Sequence, residues 1–175
     1  MFNLIEKYFK KDRSDKKLLR ENFSNYFFSL PEHQWLLEVE IKKNFEKLFE
    51  RVPAGVLEFM MRENPVAFVT NEVFRNKKNT GIQLNNTIVV FPEFQKLIKT
   101  NKGAAVAYLA HELAFLLYEL EGSKQDPLMA EVEADKFVCD IGLSLELEEL
   151  LLMLDETIEK RLRLTYLTIN HFSNN

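Results

Sequence analysis

The apolar positions of the chain change rhythm several times, and each rhythm predicts an element. Phe2, Ile5, Tyr8 and Phe9 fall at helical spacing and are followed by Lys10, Lys11, Arg13, Lys16, Lys17 and Arg20. This predicts an amphipathic basic segment over residues 1–25, ahead of a single domain over 26–175. Ser29-Leu30-Pro31-Glu32 reads as a helix start, since proline is tolerated in the first turn. Ile41, Phe45, Leu48, Phe49 and Val52 then repeat at i, i+4, i+7, i+8 and i+11, with Lys42, Lys43, Glu46, Lys47 and Glu50 on the other face. Such a stripe belongs to a long helix that buries one side. Pro53 interrupts it, and Gly55 to Met61 forms a second short helix. His33 has no partner spacing around it and reads as a surface or capping residue.

The rhythm changes after Asn64-Pro65. Val66 to Phe74 is rich in strand formers, 75–81 is a polar turn, and Ile82-Gln83-Leu84 with Thr87 to Phe91 makes a second strand-like run. Two strands joined by a turn predict an antiparallel hairpin, with Asn85-Asn86 as a break or bulge. Pro92 ends the run because it has no ladder donor. Residues 102–121 are apolar nearly all round, with Val106, Leu109, Ala110, Leu113, Leu117 and Leu120 inside; this predicts a buried central helix. Asn101 and Thr100 are candidate caps, and Gly122 ends the helix. Leu128 to Ile141 forms the next helix, stopped by Gly142. One last helix from Ser144 carries Leu147, Leu150, Leu151, Leu154, Ile158 and Leu162, with Tyr166 and Ile169, on its buried side.

Composition narrows the class. At 175 residues, with 46% hydrophobic, fifteen phenylalanines and only five glycines, the chain suits one helix-rich α+β domain, mostly α, with an aromatic core. A net charge of −4 gives no general attraction to nucleic acid. Cys139 is the only cysteine, which fits a reducing compartment. The N-terminal run is not a secretory signal. No stretch is expected to supply the roughly 18 to 20 apolar residues that span a bilayer, so the expected location is cytoplasmic. The basic segment at 1–25 is a candidate for peripheral membrane or partner contact.

The chemistry lies on the two central helices. Ala107-Tyr108-Leu109-Ala110-His111-Glu112-Leu113 is followed, about a helix later, by Glu131-Val132-Glu133-Ala134-Asp135. Positions i and i+4 share a helix face. Two histidines at that spacing hold one zinc ion, and a glutamate at i+1 reaches its water. Here the i+4 position is Phe115, which has no donor atom.

Over roughly residues 80 to 143 the chain resembles the gluzincin zinc metallopeptidases, in particular small forms and the prenyl-protein endopeptidases with their bacterial heat-shock relatives. The motif residues are His-Glu-Leu at 111–113 and Glu-x-x-x-Asp at 131–135. The resemblance implies a zincin-like domain in which a small antiparallel sheet precedes a central helix crossed by a second motif-bearing helix. It implies His111 and Glu131 at metal-ligand positions, Glu112 at the general-base position and Asp135 orienting the histidine. It also implies that Ile82, Leu84, Ile88 and Val90 form a substrate-edge strand, open to peptide by strand addition. With Phe115 in place of the second histidine, the expectation is a degenerate metallopeptidase-like protein without peptidase activity or cofactor. It would bind a peptide or protein in the old substrate groove. The alternative is an active metal-dependent peptidase with an altered ligand set: zinc or a harder cation on His111, Glu131 and a further carboxylate, Asp135 or Glu112. A third possibility is a helical interaction protein with no relation to peptidases.

Overall fold

The computed structural model describes residues 16–62, 65–72, 74, 86–120, 122 and 126–172. Phe2 to Phe9, Ile82 and Leu84 lie outside them. The fold is mostly helical with a small two-stranded sheet. By its internal contacts the chain divides into two compact units, Met1–Lys99 and Thr100–Asn175.

The N-terminal unit begins with α1, Lys16–Ser29, followed by a 3₁₀ helix, Pro31–Leu37, then α2, Val39–Arg51, and α3, Ala54–Arg62. Helix α1 runs through residue 25, where a boundary was expected. Phe23 and Phe27 of α1 are buried among Phe45, Phe49 and Phe68. Phe23 meets Phe49 edge-on at 4.9 Å, and Phe45 meets Phe68 edge-on at 5.0 Å. Each such pair contributes about 0.5–1.5 kcal/mol beyond the area it buries. Arg20, the last of the basic run, closes the C-terminus of α2. Its Nε and Nη2 donate to the carbonyls of Phe49 and Val52, both at 3.0 Å, satisfying acceptors a helix end leaves open.

Strands β1, Ala67–Thr70, and β2, Thr87–Val90, pair in parallel, with Phe68 opposite Ile88. This corrects the antiparallel hairpin. A parallel pair needs a long crossover, and residues 71–86 provide one, starting with helical residues at 71–72. Asn86, read as a bulge, stands before β2 at φ 49°, a left-handed conformation that asparagine tolerates. Helix α4, Pro92–Thr100, follows β2.

The C-terminal unit is built of α5, Lys102–Leu120, α6, Pro127–Asp140, α7, Ser144–Met153, and α8, Ile158–Leu167, with a π turn at Thr168–Phe172. Asn101 caps α5 by accepting from the Ala104 N–H at 3.0 Å and also donates to Glu149 of α7 at 3.0 Å. Asp126 caps α6 ahead of Pro127 in the first turn. Helix α5 packs on α6 and α7, and α8 packs on the same two. With 19 residues and a mean hydropathy of 1.2, α5 is long and apolar enough to cross a bilayer, against the sequence expectation; 61% of its most apolar window is buried, and a core helix passes the same test.

The single last helix read from the sequence is two. The chain breaks at 154–157, where Thr157 accepts from the Lys160 N–H and Lys160 Nζ donates to the carbonyls of Leu152 and Leu154. The break resets the helical phase. Ile158 is 79% exposed and Leu162 45%, and the inward side of α8 carries Lys160, Arg163 and Leu167.

Candidate functional site

Three helices of the C-terminal unit bring five polar side chains into one network, buried at His111, Asp135 and Arg163. Helix α5 supplies His111, α6 supplies Glu131 and Asp135 one turn apart, and α8 supplies Arg163 with Glu159 one turn before it. His111 Nδ1 lies 3.0 Å from Asp135 Oδ1, and His111 Nε2 lies 3.0 Å from Glu131 Oε2. Arg163 grips Asp135 with two donors, Nε to Oδ2 at 2.7 Å and Nη2 to Oδ1 at 2.7 Å. Its Nη1 donates to Glu131 Oε2 at 2.9 Å and reaches Glu159 Oε1 at 3.4 Å. This planar fork is the geometry in which guanidinium and carboxylate bind best.

The charges follow from these contacts. Burial alone pushes the His111 pKa down, but the hydrogen bonds to Asp135 and Glu131 outweigh it and raise the value to about 9. Each ring nitrogen lies at hydrogen-bond distance from a carboxylate oxygen, an arrangement that favours the imidazolium at neutral pH. Burial pushes Asp135 up, and its bonds to His111 and Arg163 more than reverse this, holding the carboxylate below its ordinary range. Glu131 is lowered first by its bond to His111, against its partial burial. An unpaired charge in such a place is costly; here two carboxylates face two cations.

Comparison with family models, with curated proteins and with solved structures finds no match.

The remaining sequence candidates are not among these hydrogen-bonded groups, although Glu112 is close enough to feel the charges of His111, Glu131 and Arg163. Glu112 bonds to Tyr108, one turn earlier on α5. Burial raises the Glu112 carboxyl, and burial together with Glu112 raises the Tyr108 phenol. Phe115 lines an open groove of about 450 Å³ beside Glu131. Ile88 and Val90, candidates for a substrate edge, are buried side chains of β2 in the N-terminal unit. The edge of β1 turned away from β2 is taken: the Phe68 N–H donates to His33 Nε2 at 2.9 Å, and Trp35 Nε1 donates to the Phe68 carbonyl at 3.0 Å. His33 is thus no surface residue; it is fully buried.

These side chains hold one another and do not present a set of free ligands to zinc. A metal-bound imidazole must be neutral at the ligating nitrogen, and each His111 nitrogen here lies 3.0 Å from a carboxylate oxygen, which favours the protonated ring. Arg163 places a fixed positive charge within 2.9 Å of Glu131 and Asp135, so a divalent ion there would meet repulsion rather than free ligands. Phe115 supplies no donor. Among the described residues no group of three or more His, Cys, Asp or Glu is arranged to hold a metal ion. Arg163 is the member of the network that the sequence pattern did not single out. Its only advance signal is charge balance: a buried histidine with two acids needs a cation, and the sequence offers several without saying which turns inward.

Proposed function

We propose that the chain is a degenerate, zincin-like relative of the gluzincin metallopeptidases that works by binding a peptide or protein. In this reading Arg163 has taken over the charge-balancing role of the metal ion, and no cofactor is used. The observation that carries it is the double grip of Arg163 on Asp135 with a third bond to Glu131. In a zinc peptidase one of those acids ligates the metal and the other orients the first histidine. Here a guanidinium, which stays charged at any relevant pH, binds both and balances their charge together with His111. Glu112, at the general-base position, bonds to the Tyr108 phenol. The peptidase reading with an altered ligand set would require His111 to lose a proton and Arg163 to withdraw from two carboxylates. That disfavours it.

Equilibrium dialysis against zinc, followed by metal analysis of the purified chain, tests the reading. The expected result is no stoichiometric zinc. Tight binding of one zinc ion per chain would sink it and restore the peptidase alternative.

A further inference from the structure

Helix α8 is amphipathic the wrong way round. Its inward side holds Lys160 and Arg163, 8% and 5% exposed, while Ile158 and Leu162, at i and i+4, face outward. A surface helix ordinarily turns such an apolar pair to the core. The outward pair is not scattered: with Phe115 and Leu128 it lines the groove of about 450 Å³ between the first turns of α6 and α8. That volume is within the range of ligand sites, about 300–1,000 Å³. Among the described residues, the charged side chains lining the groove are acids: Asp126, Glu131 and Glu159.

We propose that this groove is a docking site for a segment of a partner protein that presents apolar side chains flanked by arginine or lysine. The inference rests on the reading that the chain binds rather than hydrolyses, and it names where and what. Charge complementarity decides the occupant. Glu131, Asp135 and Glu159 face Arg163 and the protonated His111, leaving one negative charge, and Asp126 adds a second. The Glu159 side chain is 53% exposed with a single long contact to Arg163, so it is placed to receive a cation from outside. A second copy of this chain on a two-fold axis would set acid rim against acid rim, which disfavours self-association. Apolar contacts on Ile158, Leu162 and Phe115 would supply affinity, and the rim would supply selection by charge.

The probe is a fluorescein-labelled helical peptide with leucines at i and i+4 between arginines, together with its counterpart carrying glutamate for arginine. Anisotropy titrations with the full chain should show saturable binding of the arginine peptide and much weaker binding of the glutamate peptide. Replacing the outward pair, Ile158→Ser with Leu162→Ser, should weaken binding about ten-fold or more, the loss expected of a truncated apolar anchor. Glu159→Gln should weaken it about two- to five-fold, as befits a solvent-facing ion pair. Both variants change exposed side chains, and circular dichroism checks that they fold. Failure of the arginine peptide to bind, equal binding of both peptides, or serine-variant affinity equal to wild type would each overturn the groove. A dimer in sedimentation velocity that the serine variant abolishes would overturn it in favour of a second copy. Binding that the serine variant leaves intact rejects the groove but keeps a binding protein. Stoichiometric zinc rejects the degenerate-site reading alone.

Discussion

His33 and His111 are both buried, one in each unit, and they differ in almost everything else that matters. The His33 ring is held by backbone: Nδ1 donates to the Phe27 carbonyl at 2.6 Å and Nε2 accepts from the Phe68 N–H. One nitrogen donates and one accepts, so the ring is neutral, and burial depresses its pKa to about 4. The His111 ring faces a carboxylate at each nitrogen and is held charged, with its pKa raised to about 9. Burial opposes the charged form in both. The partners decide: a peptide group offers a dipole that one tautomer satisfies, whereas two carboxylates stabilise a full positive charge. The first arrangement ties elements of a fold together. The second is a charge store that needs a further cation to balance it, and Arg163 is that cation.

The largest effect should come from removing it. Arg163→Met leaves Asp135, at 1% side-chain exposure, and the half-buried Glu131 sharing one imidazolium. Removing one partner of a buried pair costs about 3–5 kcal/mol, and denaturant unfolding followed by circular dichroism should show a loss of that size. Arg163→Lys should recover only part of it, because an ammonium cannot span Asp135 with two parallel bonds. A loss under about 1 kcal/mol, the value of an exposed pair, would mean that the network is solvated and that the two histidines differ less than their contacts imply.

Next comes the neutral ring. His33→Leu leaves the Phe68 N–H and the Phe27 carbonyl without their buried partner, at about 1–3 kcal/mol each. Because the Phe27 carbonyl keeps a long bond from the Leu30 N–H at 3.4 Å, an overall loss of about 2–4 kcal/mol, below the two-group sum, is expected by the same measurement. The two rings also have opposite pH signatures. His33 has a folded pKa of about 4, below its ordinary 6.5; its contribution is complete above pH 6.5 and is lost as pH falls toward 4. His111 has a folded pKa of about 9, above the ordinary 6.5; its contribution is complete below pH 6.5 and is lost as pH rises through 9. Each contributes on the order of a few kcal/mol at most. Wild-type stability should therefore sag on both flanks, and His33→Leu should flatten the fall between pH 6.5 and 4 while leaving the alkaline fall in place. Loss of both flanks in that variant would show that the two rings are not independent.

The difference between the rings also marks what could be read in advance. Caps and stops follow local rules, so Asn101 before α5 and the glycines after α5 and α6, Gly122 at φ 69° and Gly142 at φ 79°, are legible one residue at a time. Glu131 and Asp135 share a face by spacing alone, and that face turns to His111. His33 leaves no such trace, because its partners are main-chain atoms of Phe27 and Phe68, which carry no sequence pattern. Arg163 is hidden for another reason. A continuous helix through 144–169 points Leu154, Ile158 and Leu162 inward; the turn at 154–157 rotates the phase and sends Arg163 in instead. Nor does a run of strand formers say whether the next strand pairs parallel or antiparallel, and β1 and β2 pair in parallel.

The smallest effect is the most discriminating, since it offers His111 a second imidazole. Phe115→His restores the i, i+4 pair on α5 at a half-buried position beside the groove. By spacing alone this should create a zinc site. The network says otherwise: His111 must first give up a proton that two carboxylates hold, and Arg163 still occupies Glu131 and Asp135. Zinc affinity measured by competition with a chromophoric chelator should therefore rise by less than about ten-fold in Phe115→His, under ~1.4 kcal/mol of binding. Adding Arg163→Met should raise it further, because the carboxylates then lack a cation and a metal ion can supply one, offsetting the instability that the second substitution brings. Were Phe115→His alone to bind zinc tightly, the proton on His111 would have to be weakly held. The charged ring would then resemble the neutral one far more closely than its two carboxylate partners indicate.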